Sequence, residues 1–156
     1  MNPPQSIVLQ SGAGEMIHAY GDTVQMKLSA EATGGLLSLG LLTPPPRGGP
    51  PLHRHTREEE LFIVIEGRFR FVSDGVESEA GPGSVVFLPR NTVHAFQVIS
   101  ETPGKAWVHV YPGGFETFFR RSAAIFVEAA GGAPDMARIM EAAAAQGIEI
   151  LGPPLA

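Results

Sequence analysis

Three of the five histidines in this 156-residue sequence are spaced in a way that could build a metal site. One residue separates His53 from His55, four separate His55 from Glu60, and His94 lies further along the chain. Residues i and i+2 of a strand point to the same face, so a strand through 53–55 would aim both imidazoles at one point. Glu60, at the start of the next strand, and His94, on a separate strand, could reach that point. Three imidazoles and one carboxylate suit a first-row transition metal.

Each part of this pattern also has a simpler explanation. A lone His-x-His pair is often two surface histidines, the run Glu58–Glu60 would usually be a solvated edge, and His94 alone would more often be a hydrogen-bonded core histidine. The combination favours a metal site, because each part is spaced as the others require. The sequence has no cysteine, which excludes disulfides, a thiolate nucleophile and zinc bound by sulfur. Nitrogen and oxygen must therefore hold any metal.

Short strands cut by glycine and proline turns must position these residues. Turn signals such as Asp74-Gly75 and Gly81-Pro82-Gly83 recur at roughly ten-residue intervals, which is typical of an all-β sandwich or barrel. The length corresponds to one domain. The predicted strands are Ile7–Leu9, Glu15–Tyr20, Val24–Ser29, Leu36–Leu42, Glu60–Glu66, Arg68–Val72, Ser84–Leu88, His94–Val98 and Ala106–Tyr111.

One predicted strand contains the longest unbroken aliphatic and aromatic run of the sequence, Leu61–Ile65. Phe62 and Val64 share the face of Glu60, while the other three residues point the opposite way. Because both faces are apolar, we expect the interior of the barrel to cover one of them and a partner to cover the other.

The C-terminal part of the sequence predicts helices rather than strands. The segment Phe115–Ala130 contains no glycine or proline, and Pro134 suits the first turn of a second helix that stops before Gly147. Met136, Ile139 and Met140 form a narrow apolar stripe on that second helix, which predicts packing. The tail 151–154 is expected to be extended and to dock on the barrel or on a second subunit.

Residues 47–98 resemble the cupin family, whose motifs are written G-x5-H-x-H-x3,4-E-x6-G and G-x5-P-x-G-x2-H-x3-N. The matching residues are His53, His55, Glu60 and Gly67 in the first motif, and Gly83, Pro89 and His94 in the second. The leading glycine falls at Arg47, Asn91 replaces a glycine, and Val98 replaces the closing asparagine. The resemblance implies a double-stranded β-helix, a jelly-roll barrel, with His53, His55, Glu60 and His94 as metal ligands.

A narrower resemblance covers residues 45–156. The segments 111–119 (YPGGFETFF) and 147–154 (GIEILGPP) are similar to those of small bacterial single-domain cupins of the quercetin-2,3-dioxygenase-like type. We therefore expect a cupin barrel over residues 1–114, with its core motifs within 48–98. A helical extension over residues 115–156 is expected to pack on the barrel or on a second subunit.

The resemblance implies a metal-dependent dioxygenase that acts on a flavonol or another enolisable or aromatic small molecule. Its cofactor would be one divalent ion of iron, manganese, nickel, cobalt, copper or zinc. Glu60 would take the substrate's proton as ligand, base or both. Phe62 and Phe96 could form apolar pocket walls, although they could equally be plain barrel core. An isomerase or cyclase on the same scaffold, and a non-catalytic cupin that binds a small molecule, remain alternatives.

The sequence gives only weak indications of a role for two further residues, His109 and Arg90. His109 shares one face of the last predicted strand with Trp107, and it could orient a ligand imidazole, although a subunit contact is the simpler role. Arg90 could lie at the pocket mouth, although a solvated turn residue is the simpler interpretation.

The charge pattern limits the partners. Eleven basic and 16 acidic residues give a net charge of −5, without any run of five or six like charges. Nucleic acid is not expected as a partner, because phosphate binding needs a basic stripe. No signal peptide and no membrane-spanning run is evident. We therefore expect a cytoplasmic homodimer that binds a small-molecule substrate and dioxygen, and no membrane.

Overall fold

The computed structural model describes residues 5–156, and these residues form eleven strands and three helices. The strands are β1 (Glu15–Ala19), β2 (Asp22–Leu28), β3 (Ser38–Leu42), β4 (Pro51–His55), β5 (Glu59–Glu66), β6 (Phe69–Ser73), β7 (Val76–Ala80), β8 (Val85–Leu88), β9 (His94–Val98), β10 (Lys105–Tyr111) and β11 (Ile148–Pro154). The helices are α1 (Ala30–Thr33), α2 (Glu116–Glu128) and α3 (Met136–Ala145).

The strands form two antiparallel sheets that face each other across the core. One sheet has the order β1-β2-β3-β10-β5-β8, and the other has the order β11-β4-β9-β6-β7. Consecutive parts of the chain alternate between the sheets, as β4, β5 and β6 do. This is the double-stranded β-helix with C-terminal helices that the sequence predicts, so the predicted fold class is confirmed.

Four phenylalanines fill the space between the sheets. Phe62 of β5 faces Phe71 of β6 and Phe96 of β9, with ring centroids 5.4 and 5.8 Å apart respectively. Phe96 also contacts Phe69, at 5.5 Å, in an edge-to-face arrangement. Such pairs add to the stabilisation from burying the rings. The rings are buried because alternate residues of each strand point inward.

The outer face of β5 is covered less completely than its inner face. Leu61, Ile63 and Ile65 are half-buried, and Val85 and Phe87 of the adjacent edge strand β8 are 63% and 58% exposed. The register places Leu61 opposite Phe87 and Ile63 opposite Val85, so these residues form one continuous apolar surface. That a partner covers this face stays a prediction.

Two predictions about strands are wrong. Ile7–Leu9 forms no strand, and Val8 is 83% exposed. This short apolar run pairs with no strand of the described residues, so its side chains are not buried. Strand β7 was not predicted, because its sequence Val-Glu-Ser-Glu-Ala is largely exposed and lacks an apolar face. It pairs with β6 through the turn Asp74-Gly75, where both residues have positive φ values of 47° and 81°.

The second C-terminal helix begins at Met136, two residues after Pro134, so Pro134 lies before the helix and not in its first turn. Asp135 is its N-cap, and its side chain accepts hydrogen bonds from the backbone N–H groups of the next turn. The predicted stripe is also partly wrong, because Met136 and Met140 are exposed and Ile139 is buried beside Ala142 and Ala143. These alanines form most of the buried face of the helix.

The C-terminal tail docks on the barrel of the same chain. Strand β11 pairs antiparallel with β4, placing Ile148 opposite His55 and Ile150 opposite His53. The last strand therefore lies directly beside the strand that carries two of the predicted metal ligands. The division of the chain into a barrel over 1–114 and an extension over 115–156 stays a prediction.

Gly49 allows the loop before β4 to lie against β9. A Cβ atom at this position would lie 1.9 Å from the carbonyl oxygen of Phe96. We expect Gly49→Ala to destabilise the fold by about 3 kcal/mol, since the backbone must move to relieve this overlap. Gly81→Ala is the matched control, because a Cβ at Gly81 meets no atom within 4 Å. Denaturant unfolding of both variants measures the difference, and equal stabilities would contradict this account of the loop.

Candidate metal centre

Three strands bring the four predicted ligands together. His53 and His55 lie on β4, Glu60 lies on β5, and His94 lies on β9 directly opposite His53. One ligand atom from each residue lies within 4.8 Å of the others. His55, Glu60 and His94 are buried and His53 is half-buried. The structure therefore brings together the four residues that the sequence singles out, and their role as ligands stays a prediction.

Hydrogen bonds fix the orientation of the three imidazoles. The Nδ1 atom of His53 lies 2.7 Å from the carbonyl oxygen of Pro51, and that of His94 lies 2.9 Å from the carbonyl oxygen of Thr92. A carbonyl only accepts hydrogen bonds, so each Nδ1 carries the proton and donates it. The opposite nitrogen, Nε2, then has a free lone pair, which is the form of histidine that binds metals.

The third imidazole is oriented by a carboxylate. The Nδ1 atom of His55 lies 2.6 Å from Oε2 of Glu58, and both side chains are buried. A carboxylate that accepts from one ring nitrogen of a histidine makes the other nitrogen a better metal ligand. His55 is thus held by a charged partner, whereas His53 and His94 are held by neutral ones.

The centre contains an unsatisfied pair of buried atoms. Oε2 of Glu60 lies 2.8 Å from Nε2 of His94 and 3.4 Å from Nε2 of His55. Neither Oε2 of Glu60 nor Nε2 of His94 has a well-directed hydrogen-bond partner within the described residues. With Nδ1 of His94 protonated, two lone pairs face each other, which is unfavourable unless a cation lies between them. The residues therefore fit a divalent metal, bound by nitrogen and oxygen.

The pKa values of these groups reflect burial and mutual charge. Burial, together with repulsion from His94 and His55, lowers the pKa of His53 to about 3. Burial would raise the pKa of Glu60, but the three neighbouring histidines outweigh it and lower this pKa to about 2. Burial also opposes a charge on His55, but Glu60 and Glu58 raise its pKa. A neutral His53 and an ionised Glu60 are the forms that bind a metal.

The sequence did not single out Glu58. A run of three glutamates taken alone predicts a solvated edge, yet Glu58 and Glu60 are buried while Glu59 forms a two-point ion pair with Arg90 at 2.6 and 2.8 Å. The two-residue period of extended backbone could have indicated that Glu58 is buried, because residue 58 shares the face of residue 60. Arg90 is consequently a surface ion-pair residue, and it is not among the residues that line the cavity.

Two departures from the cupin motifs keep the same backbone geometry. Arg47 and Asn91, which stand where the motifs have glycine, have φ values of 64° and 70°. Asparagine tolerates this left-handed conformation more readily than most residues. The backbone N–H of Asn91 donates to the carbonyl oxygen of His55 at 2.7 Å, so this turn joins the strands of His55 and His94.

The quartet opens into a largely apolar cavity of about 100 Å³. Phe62 and Phe96 line this cavity and also belong to the core, so both predicted roles describe them. The C-terminal part of the chain adds walls that the sequence did not predict, because they are distant from the motifs along the chain. One wall consists of Phe115, which directly precedes α2, and of Phe118 and Phe119 in the first turn of α2. The other consists of Ile148 and Ile150 from β11.

His109 does not orient a ligand imidazole. It alternates with the buried residues Val108 and Val110 on β10, so it lies on the outer face of the sheet. Its ring stacks on that of Tyr111, with an angle of 4° between the ring planes. The Nδ1 atom of each of the three predicted ligand histidines is hydrogen-bonded to another group, namely Pro51, Glu58 or Thr92, and not to His109. The simpler interpretation of His109 as a residue of the outer sheet face agrees with this position.

One further carboxyl group, that of Asp22, lines the cavity. Burial raises the pKa of Asp22 to about 6, although hydrogen bonds from the backbone N–H groups of Thr23 and Thr43 partly oppose this shift. Between pH 4 and 6 the folded protein therefore binds more protons at this site than the unfolded chain, and the stability from Asp22 falls as the pH rises through that range.

We expect Asp22→Asn to stabilise the protein by about 1–2 kcal/mol at pH 7.5, because the amide avoids burying a charge. Near pH 4 the two proteins should be equally stable, since Asp22 is then protonated in the fold. Denaturant unfolding of both proteins at the two pH values measures this. A difference that is largest at pH 4 would contradict the assigned direction of the pKa shift.

Comparison with known proteins identifies the fold family. A family model described as "Cupin domain" matches residues 40–111, which include all four predicted ligands. Residues 40–111 are thus similar to a cupin domain. Within residues 5–156, no helix is long and apolar enough to cross a membrane.

Two curated relatives contain related sequences. The chain is 32% identical over 114 residues to a quercetin 2,3-dioxygenase of Bacillus subtilis, an alignment that covers 72% of this chain and 33% of that protein. It is 43% identical over 49 residues to the oxidoreductase iacF of Pestalotiopsis fici, covering 31% of this chain and 24% of that protein. The chain thus aligns with about a third or less of either relative.

Solved structures show the same fold at low sequence identity. KdgF from Halomonas sp. superposes with a TM-score of 0.64 at 14% identity, covering 72% of this chain and 98% of that chain. An RmlC-like cupin from Shewanella frigidimarina superposes with a TM-score of 0.61 at 22% identity, covering 72% and 97%. A sugar phosphate isomerase of the cupin superfamily from Silicibacter pomeroyi superposes with a TM-score of 0.51 at 23% identity, covering 58% and 59%.

Proposed function

We propose that this cupin is a metal-dependent dioxygenase that acts on an enolisable small molecule. The observation that carries the proposal is the quartet of His53, His55, Glu60 and His94, which lines an apolar cavity with one ligand atom of each residue within 4.8 Å of the others. The similarity to a quercetin 2,3-dioxygenase supports this reaction class. A divalent metal bound there would polarise the substrate oxygen and favour its enolate form.

Glu60 is the base in this proposal. Its ionised carboxylate lines the cavity beside the imidazoles of His94 and His55. Removal of a proton from the substrate hydroxyl or α-carbon would place that proton on the carboxylate of Glu60 and leave an electron-rich carbon. Dioxygen then takes up electrons from this carbon, and both of its atoms end in the ring-opened or cleaved product. The surrounding phenylalanines exclude water, which would compete for the enolate.

The cavity favours a substrate smaller than a flavonol. An apolar cavity of about 150 Å³ accepts one benzene molecule, whereas this cavity measures about 100 Å³. A three-ring flavonol would require the wall formed by α2 and β11 to move. A small β-diketone or a single-ring enol fits the space with less rearrangement.

The same cavity disfavours a sugar phosphate as substrate. Within the part of the chain that the structure describes, its lining contains no lysine or arginine. Phosphate groups are bound by such cations or by clusters of backbone N–H groups. An isomerase or cyclase that acts on an uncharged ketone remains compatible with the site and is distinguished by the experiment below.

Oxygen uptake in ¹⁸O₂ tests the proposal. Protein loaded with each first-row divalent metal is supplied with pentane-2,4-dione, 1-phenylbutane-1,3-dione and a flavonol. We expect one dioxygen to be consumed for each substrate, with both labelled atoms in the products. Substrate conversion without oxygen uptake would replace the proposal with an isomerase or cyclase, and no conversion by fully loaded protein would replace it with a binding protein.

A further inference from the structure

Asp22 lines the cavity but does not belong to the metal quartet, so the proposed metal site leaves its carboxyl group without a function. Apart from the quartet, the ionisable side chains in the lining of the described cavity are those of Asp22 and Tyr20. The hydroxyl group of Tyr20 already hydrogen-bonds to Oγ of Ser122 at 2.8 Å, and its ring packs on Phe118. Asp22 is thus the acidic group in this lining that remains free to meet a ligand.

The β1–β2 hairpin holds Asp22 in place. The connecting residues Tyr20 and Gly21 have φ values of 58° and 72°, as expected for a tight two-residue turn. Asp22 follows directly as the first residue of β2, opposite Ala19. Its Oδ1 atom accepts a hydrogen bond from the backbone N–H of Thr23 at 2.6 Å. The backbone N–H of Thr43 also donates to this carboxylate. A carboxylate has about four acceptor sites, so it can still accept a hydrogen bond from a ligand.

The rest of the lining fixes the chemistry of that ligand. Ring and aliphatic side chains surround the space, and in such a pocket a few placed polar groups determine how a ligand is oriented. A carboxylate only accepts hydrogen bonds when it is ionised, so the matching group must donate one. The cavity of about 100 Å³ is partly open and is smaller than one that encloses benzene, so the apolar part of the ligand is no larger than about one ring.

We propose that the cavity recognises a small, one-ring or similarly sized apolar molecule through a hydroxyl group that donates a hydrogen bond to Asp22. The inference rests on the proposed function in taking this cavity as the substrate pocket, and it names the substrate class. The oxygen of the enol would face the quartet, and the donor hydroxyl would be a second group on the same molecule. Asp22 is accordingly a specificity residue, which acts on substrate choice.

Phenol and toluene provide a matched pair of probes, because a hydroxyl replaces a methyl group of similar size. The binding of both is measured by calorimetry in full-length zinc-loaded protein, in which no oxygen chemistry occurs, and again after the metal is removed. Their affinity ratio in wild-type protein is compared with that in Asp22→Leu and Asp22→Asn. Glu77→Gln is the control, since it removes a carboxylate from the exposed face of β7.

We expect the preference for phenol to fall about tenfold in Asp22→Leu, and by less in Asp22→Asn because an amide oxygen still accepts a hydrogen bond. Glu77→Gln should keep the wild-type ratio. A wild-type ratio in folded Asp22→Leu would overturn the role of Asp22. Because the ratio is also measured without metal, it can fail while the oxygen-uptake experiment succeeds, and the reverse also holds.

Discussion

Replacing His94 or His55 by alanine is expected to abolish stoichiometric metal binding. Each substitution removes one of four ligands and leaves Oε2 of Glu60 facing fewer nitrogens. Loss of a group that only supports a ligand costs about 10–100-fold in metal affinity. Loss of the ligand itself should exceed about 100-fold. Elemental analysis after dialysis against limiting metal measures occupancy.

His18→Ala is the matched control for these variants. His18 lies on β1, is exposed, and hydrogen-bonds to Thr23 at 3.0 Å, outside the quartet. Its removal should leave the metal content unchanged. Circular dichroism shows whether each variant is folded. Full metal occupancy in folded His94→Ala or His55→Ala would show that the ligands are assigned wrongly.

The second large effect is expected from a pair of adjacent glutamates. Glu58→Gln removes the charge that accepts the hydrogen bond from Nδ1 of His55, and it should lower metal affinity by about 10–100-fold. Glu59→Gln removes the same charge one residue later. There the carboxylate only pairs with Arg90 at the surface, so metal affinity should stay within about twofold of the wild type.

Competition with a chromophoric chelator measures both affinities. The comparison separates orientation of the ligand from general charge, because both variants lose one negative charge at neighbouring positions. Equal losses in the two variants would mean that overall charge, and not the bond to His55, determines affinity. Equal retention would mean that Glu58 has no role in positioning His55.

The proximity of the four residues of the quartet could be predicted because its signals are local. His53 and His55 share a strand face through the two-residue period, and the spacing to Glu60 and the turn before His94 match recognisable motifs. The same period would have indicated Glu58, but three consecutive glutamates obscured which of them face inward. The fold class followed from turn spacing and from the motifs, since each strand is short and regularly interrupted.

The cavity could not be predicted in the same way, because it depends on contacts between distant parts of the chain. Phe118 and Ile150 meet the quartet only after the C-terminal segment folds back and β11 pairs with β4. Asp22 lies in a hairpin with no motif around it. The exposed Met136 and Met140 show the same limit, since helical periodicity identifies a stripe and tertiary packing decides which part is buried.

The central claim is that His53, His55, Glu60 and His94 bind one divalent metal ion. An anomalous-difference map from crystals of the zinc-loaded protein tests it most directly. We expect one anomalous peak for the metal, at roughly 2.0–2.2 Å from Nε2 of each histidine and from a carboxylate oxygen of Glu60. A peak elsewhere, coordination through Nδ1, or no peak in metal-saturated crystals would contradict it.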